Sequence, residues 1–429
     1  MSGIPCAVSA PMTKRPEILV LCSRFPEPPV GGDRVRIYRI CKEAAKHADL
    51  DLLTFCESDA ERQATSSSGL FRSITRLNLS SLGARLRTLS AVPGSEPLQI
   101  AYYHTRAFDT ALHAICSRYD ATLAHLIRMG SYINKPIGRT VRVLEATDAI
   151  SLNYSRLPAE QRHYSAKMLA YQVEKQRLLR YEKELPRCFD LLSFVSSVDV
   201  DFLYPDRPKN IVVATNGVDL EQFHFIGPGR QKRIVFIGNV MSDQNFDACL
   251  FFAKTVLPYF HDFEFQVIGR ISEAKAQQLR RLRNVTVTGE VASVSQAAAG
   301  AFAAVCPVRM GAGVQNKLLE YFAMGIPAVS TSIGLEGLQV EEGRHVLRAD
   351  DSYEMASALA RLWKDPSLGR RLAEAGRAYV ADHHAWDQVL SPLISSMMEA
   401  VERRRMSDGA RIHLSHSLAP SSALEDVRE

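Results

Sequence analysis

The sequence has no Cys-x-x-Cys pair, no apolar run of membrane-spanning length and no G-x-G-x-x-G behind a strand. Each absence excludes something. The eight cysteines, several inside apolar runs as Cys22 and Cys306 are, read as reduced, buried small side chains rather than zinc ligands or a disulfide frame. A spanning helix needs roughly 20 consecutive apolar residues, so any membrane contact is expected to be peripheral. The opening stretch MSGIPCAVSAPMTKRPEILV carries its basic residues after its mildly apolar part and does not read as a secretory signal, which points to the cytoplasm. VIGRIS (267–272) and VTGEVA (287–292) miss the dinucleotide spacing, and that disfavours a nicotinamide dehydrogenase. A net charge of +5 suits an anionic small molecule or an acidic membrane surface; it is too small to argue for nucleic acid.

What the chain does have is alternation. Short apolar runs (EILVLC 17–22, LDLLTF 50–55, RTVRVLE 139–145, DLLSFVS 190–196) are separated by longer helical patterns, and a second series follows (RIVFIGN 233–239, FEFQVIG 263–269, NVTVTGE 284–290, AFAAVCPV 301–308, PAVSTS 327–332). Continuous apolar strands between helices predict parallel sheets covered on both faces, and two series predict two doubly wound α/β domains. The turn Asn216-Gly217-Val218-Asp219 and the polar stretch behind it set the boundaries: a first domain over 1–215, a linker over 216–232 and a second domain over 233–390. Residues 391–429 are expected to form a helix and a disordered tail starting after Arg405. A helical region between Asp148 and Pro186 carries Arg162, Lys167, Lys175, Arg177, Arg180 and Lys183. It suits a solvated face or a surface for an anionic membrane.

The densest chemistry lies in PVRMGAGVQNKLLEYFAMGIPAVST (307–331). Strand, glycine loop and helix N-terminus make an anion site, because unpaired amides and the positive end of the helix dipole converge where Gly311 and Gly313 allow close approach. Arg309 and Lys317 can add charge-assisted contacts to a diphosphate, and Glu320 can accept hydrogen bonds from two vicinal sugar hydroxyls. Lys317 and Glu320 equally suit an ordinary surface pair.

Lys317, Glu320, Ala323, Gly325 and Pro327 reproduce the tail Lys-x-x-Glu-x-x-Ala-x-Gly-x-Pro. In this the segment resembles the signature of the large retaining glycosyltransferase group called family 4, or group 1. Gly334-Leu335-Glu336-Gly337-Leu338, Trp386, Asn216-Gly217-Val218-Asp219 with Phe223, and Gly238-Asn239 fit the same group. Near the N-terminus, Pro26, Pro29, Gly32, Asp33 and Arg36 in LCSRFPEPPVGGDRVRIYRI resemble a subset linked to bacterial exopolysaccharide and exosortase systems. The resemblance covers about residues 17–390 and is thin in the first half outside that loop.

It implies a GT-B architecture, two Rossmann-like domains facing across a cleft. The activity implied is transfer of a sugar from a nucleotide-sugar to a carbohydrate or lipid-linked acceptor, with retention. Carried over, Glu320 would hold the ribose. Arg309, Lys317 and the loop Gly311, Gly313 and Val314 would hold the diphosphate beside Gly238, and Glu290 and Val291 would meet the base. Gly31 and Gly32 would approach the phosphates from the first domain.

The group also expects a polar catalytic group past a strand of the first domain. Glu145 or Asp148 suits that place, although Asp148 equally suits the N-cap of the next helix. His125 and Arg128, with Asp33 and Arg36, are further acceptor-side candidates. No metal is expected, since Asp49-Leu50-Asp51 is far in sequence from the donor loop. The chain departs from the pattern twice: Ala312 stands where many members carry a first glutamate, and Asn239 to Asn245 contains no basic residue. A GT-B nucleotide-sugar 2-epimerase and a non-catalytic partner subunit therefore remain alternatives.

Overall fold

A computed structural model describes residues 14–29, 31–56, 58–66, 68–156, 166–311 and 313–417. The first domain is a seven-stranded sheet, β1 (Glu17–Cys22), β2 (Asp49–Cys56), β3 (Phe71–Asn78), β4 (Ala121–His125), β5 (Val141–Thr147), β6 (Leu191–Phe194) and β7 (Ile211–Val213), in the order β3-β2-β1-β4-β5-β6-β7. The second is a six-stranded sheet of β8 (Gln231–Ile237), β9 (Glu264–Ile268), β10 (Val285–Gly289), β11 (Ala301–Cys306), β12 (Ala328–Ser330) and β13 (Leu347–Arg348), in the order β10-β9-β8-β11-β12-β13. Every pairing is parallel. Each chain order reverses beside its first strand, so each sheet opens a crevice at the C-terminal ends of its central strands. The two expected doubly wound domains are present.

β3 lies at an edge and alternates polar with apolar residues, and β7 and β13 have only three and two residues. These three, together with β4, are the strands that the apolar-run reading does not list. Gly325 closes the helix Asn316–Met324 in the left-handed conformation, as its place in the sequence predicts.

The C-terminus departs from expectation. The helix Trp386–Ser417 continues past Arg405, where the tail was expected to begin, and 418–429 lie outside the described residues. This helix also belongs to the first domain: Trp386, Val389, Leu390, Leu393, Ile394, Met397 and Val401 share a core with Ile18, Val20, Ile37 and Ile40. The chain thus crosses between domains twice, and the crossings are joined. The Val218 amide donates to the His384 carbonyl at 2.9 Å, and a Cβ on Gly217 would lie 2.7 Å from the Trp386 ring.

Of the basic helical region, Arg162 lies outside the described residues. Arg177 is buried, paired with Glu174 and donating to the Val92 carbonyl, so it is not part of a solvated face.

Candidate active site

A cavity of about 570 Å³ lies between the domains. Gly31, Gly32, Val35 and Arg39 line it from the first domain; Gly238, Asn245, Glu290, Val291, Val314, Lys317 and Glu320 line it from the second. Two helix N-termini face each other across it. The helix Asn316–Met324 starts at Gln315 and the helix Gly32–Ala44 at Gly31, and neither start has a side-chain cap. Elsewhere Ser58, Ser80, Thr105, Ser242 and Ser272 cap their helices. The Arg34 amide already donates to Asp33 Oδ1 and the Leu318 amide to the Gln315 carbonyl, but the earlier first-turn amides leave donors for a ligand, and the two dipoles add positive potential at one place. The approach is close because glycine sits at the contact. A Cβ on Gly32 would lie 3.5 Å from the Asn316 amide nitrogen, and Gly31 holds φ at 93°.

Lys317 and Glu320 do not form a surface pair. Lys317 is buried, its Nζ donating to Gln315 Oε1 at 2.7 Å and lying over the Phe236 ring. Glu320 shares the cavity wall with it. Burial raises the Glu320 carboxyl to about 7, against the opposing charge of Lys317.

Arg309 stands elsewhere. Its guanidinium holds Asp247 through two hydrogen bonds, at 3.2 and 2.9 Å, and stacks on Phe251, and it is not among the cavity-lining residues. The expected diphosphate contact from Arg309 gains no support, because its charge is spent on the helix Asp243–Phe251. Gly311 and Gly313 are not among the cavity-lining residues either, and each touches the first domain. Arg156 donates to the Gly311 carbonyl at 2.7 Å and pairs with Glu336, while a Cβ on Gly313 would fall 1.8 Å from Asp148 Oδ1. Ala312 lies outside the described residues.

In the first domain, Arg36, Glu145 and His125 form one bonded network, with Arg128 and Asp33 beside it, and none of the four acceptor-side candidates or the two carboxylates lines the cavity. Arg36 is fully engaged, with Nε on Glu145 Oε1 at 2.7 Å and its other nitrogens on Ala214, Thr215 and Asn216. It ties the first helix to the domain crossing and is not a ligand for an acceptor. Glu145 is fully buried; it also accepts from Thr147 and bonds His125 Nδ1 at 2.6 Å. Burial would raise its carboxyl, but the charge of Arg36 and the hydrogen bond with His125 outweigh it and leave it at about 2. Glu145 is therefore a permanent anion that orients His125, not a group at the cavity surface.

His125 Nε2 is buried with no hydrogen-bond partner. It sits at the C-terminal end of β4, near Asp33, whose carboxyl burial would raise but His125, Arg128 and Arg24 hold below its usual value. Arg128 donates to Ser23 Oγ at 3.0 Å and lies over the Tyr103 ring. Leu126 and Thr147, one residue past His125 and two past Glu145, hold φ of 71° and 68°. Positive φ at a β-branched residue is strained, and such strain gathers where strand ends must present side chains.

Asp148 is not a helix cap. Glu182 accepts from the Ile150 and Ser151 amides and Asp199 from that of Ala149. Nor does Asp148 line the cavity. Burial, then the charge of Asp199, raise its carboxyl well above the usual range, against the pull of Arg36, and Asp199 itself is raised by burial to about 6. Neither expected catalytic carboxylate is among the cavity-lining residues, and neither is His125; the buried polar atoms without a hydrogen-bond partner here include His125 Nε2 and Asp199 Oδ2. Sequence reasoning ranked His125 low, because the residue that activates it lies 20 positions away.

Residues 231–365 match the family model described as glycosyl transferases group 1. A protein of Klebsiella pneumoniae, described as uncharacterised and in a cps region, is 20% identical over 244 residues, which are 54% of this chain and 60% of that protein's length. Among solved structures, a sucrose-phosphate synthase from Thermosynechococcus elongatus aligns over 92% of this chain and 100% of its own, at a TM-score of 0.67 and 15% identity. The Anabaena HepE protein, in complex with UDP and glucose, aligns over 90% of this chain and 100% of its own, at a TM-score of 0.62 and 15% identity. At these identities the structural likeness is one of fold. The group 1 domain supports a glycosyltransferase enzyme.

Proposed function

We propose that the cleft binds a nucleoside-diphosphate sugar and that the protein transfers its glycosyl group to a hydroxyl of a carbohydrate or lipid-linked acceptor. The observation that carries this is the pair of uncapped helix N-termini facing each other across the cavity, with Lys317 and Glu320 on one of them. A diphosphate between those termini meets amides from both domains and the ammonium of Lys317. These groups act where charge grows as the glycosidic bond to the diphosphate breaks. Glu320, ionised, accepts from the two ribose hydroxyls, and the loop at Glu290 and Val291 meets the base. With positive charge supplied by helix ends and Lys317, the reaction needs no metal, and activity is expected to survive excess EDTA.

His125 is the first-domain group that meets the sugar. Its Nε2 offers a hydrogen bond to a sugar hydroxyl or to the acceptor, while Glu145 fixes the ring. The acceptor hydroxyl attacks from the face that the diphosphate leaves, giving retention. The resemblance of the first glycine loop to an exopolysaccharide-linked subset, and a relative described as lying in a cps region, favour bacterial polysaccharide assembly at the cytoplasmic face of a membrane. The test is a calorimetric panel of nucleoside diphosphates, beginning with UDP, followed by mass analysis of donor and acceptor mixtures. No binding by any nucleoside diphosphate would end this reading.

A further inference from the structure

The helix Ser81–Ala91 turns its apolar side to solvent. Leu82, Leu86 and Leu89 recur at helical spacing and are 68%, 59% and 66% exposed, and Val92 just beyond them is 51% exposed. Ala84 is the helix's buried residue. An amphipathic helix of a water-soluble domain normally buries such a stripe.

A second element extends the patch. The helix Ala166–Cys188 docks at the end of the first one, Arg177 donating to the Val92 carbonyl and Glu174 accepting from the Leu98 amide at 2.7 Å. One and two turns before Arg177, Val173 and Leu169 are again exposed. Around the leucines themselves the charge is positive, although Arg62 and Arg72 farther off pair with Asp59 and Asp51. From Arg62 through Ser95 the chain has five arginines and no Asp or Glu, and Arg85 stands exposed between Leu82 and Leu89.

We propose that this face docks on an anionic lipid bilayer, the leucines entering the headgroup boundary and Arg85 meeting lipid phosphates. Charge decides among occupants. A second copy of the chain would bring the same arginines against one another, whereas an anionic headgroup layer complements them. Position gives the docking a use. β3 runs parallel with β2 and β1, so the helix that follows it starts on the sheet edge that carries Gly31 and His125. A docked protein therefore turns the acceptor side of its cleft toward the membrane. The proposal concerns a surface apart from the nucleotide site and stands or falls separately from the reaction above.

The test is co-sedimentation of the full chain with vesicles of phosphatidylcholine, with and without phosphatidylglycerol. The native protein is expected to bind the anionic vesicles at low salt, to release at high salt and to leave the neutral ones unbound. The triple variant Leu82→Ser/Leu86→Ser/Leu89→Ser is expected to partition at least tenfold more weakly, with melting temperature and nucleoside-diphosphate affinity unchanged. In Leu86→Trp, added anionic vesicles should shift the emission to the blue. Native protein that ignores anionic vesicles overturns the proposal, as does equal binding by the triple variant. It is equally overturned by a native dimer, in the absence of lipid, that the triple substitution dissolves.

Discussion

The two halves of the cleft share a sheet topology and solve the same electrostatic problem with different materials. The second domain presents backbone, glycines and a helix start without a side-chain cap, with Arg270, Glu290, Lys317 and Glu320 as its charged lining residues. The first domain presents a buried web of side chains, Arg36, Glu145 and His125 on one side, Asp148, Asp199 and Glu182 on the other. A backbone site tolerates any ligand carrying the right anion, and a donor half needs little more. A web that fixes a single imidazole nitrogen in place suits the role proposed above for His125.

The comparison breaks most readily at His125. His125→Ala is expected to lower turnover by about 10²–10⁴-fold while donor affinity changes less than about threefold. A similar loss in Asp148→Asn with full activity in His125→Ala would move the chemistry to the carboxylate pair. The donor half gives a smaller effect. Lys317→Met should weaken nucleoside-diphosphate binding by roughly ten- to hundredfold, that is about 1.5–3 kcal/mol for a charged hydrogen bond. Arg309→Met should leave affinity within about threefold and instead lower the melting temperature, since it strands the largely buried Asp247. Equal affinity losses in the two variants would return Arg309 to the diphosphate.

Glu320 sharpens the contrast through pH. Burial raises its carboxyl to about 7, so the form that accepts from ribose hydroxyls prevails only above that pH. Affinity for a nucleotide-sugar, whose diphosphate does not titrate near neutrality, should rise between pH 6 and 8, by up to about tenfold per unit below 7. Glu320→Gln should flatten that profile, and an unchanged profile would sink the ribose assignment. The smallest effect belongs to the first domain's web. Burial raises Glu182 to about 7 and Asp199 to about 6 from ordinary values of 4.5 and 3.8. The folded protein holds those protons more tightly than the unfolded chain, so stability falls as pH climbs through that range. Melting temperature should drop by a few degrees from pH 5 to 8, and Glu182→Gln should remove part of the slope.

The same contrast explains what can be read from the sequence. The second domain's share is written locally: Lys317 and Glu320 lie one turn apart on the helix behind the glycine loop and both line the cavity, whereas Gly311 and Gly313 in the loop do not. Even there Arg309 misled, because its partner Asp247 belongs to another helix. The first domain's web has no local signature. His125, Glu145, Arg36 and Asn216 meet only after the sheet is assembled, and before that Glu145 and Asp148 look like interchangeable acids beside a strand end. β3 escaped notice for a related reason, since an edge strand bonded on one side can be polar and keep its place.

The return of the helix Trp386–Ser417 to the first domain sets an order of events during synthesis. All strands of the second sheet have left the ribosome once Arg348 has emerged, so that domain can close early. The first domain, although made first, still lacks the side chains from Trp386 to Val401 that fill its core beside Ile18 and Ile40. A nascent chain therefore carries its first sheet unfinished until Val401 has emerged, exposing apolar surface that chaperones would have to cover. A stop codon before Trp386 would do more than trim an end: it would take the floor from under the half of the protein that bears His125.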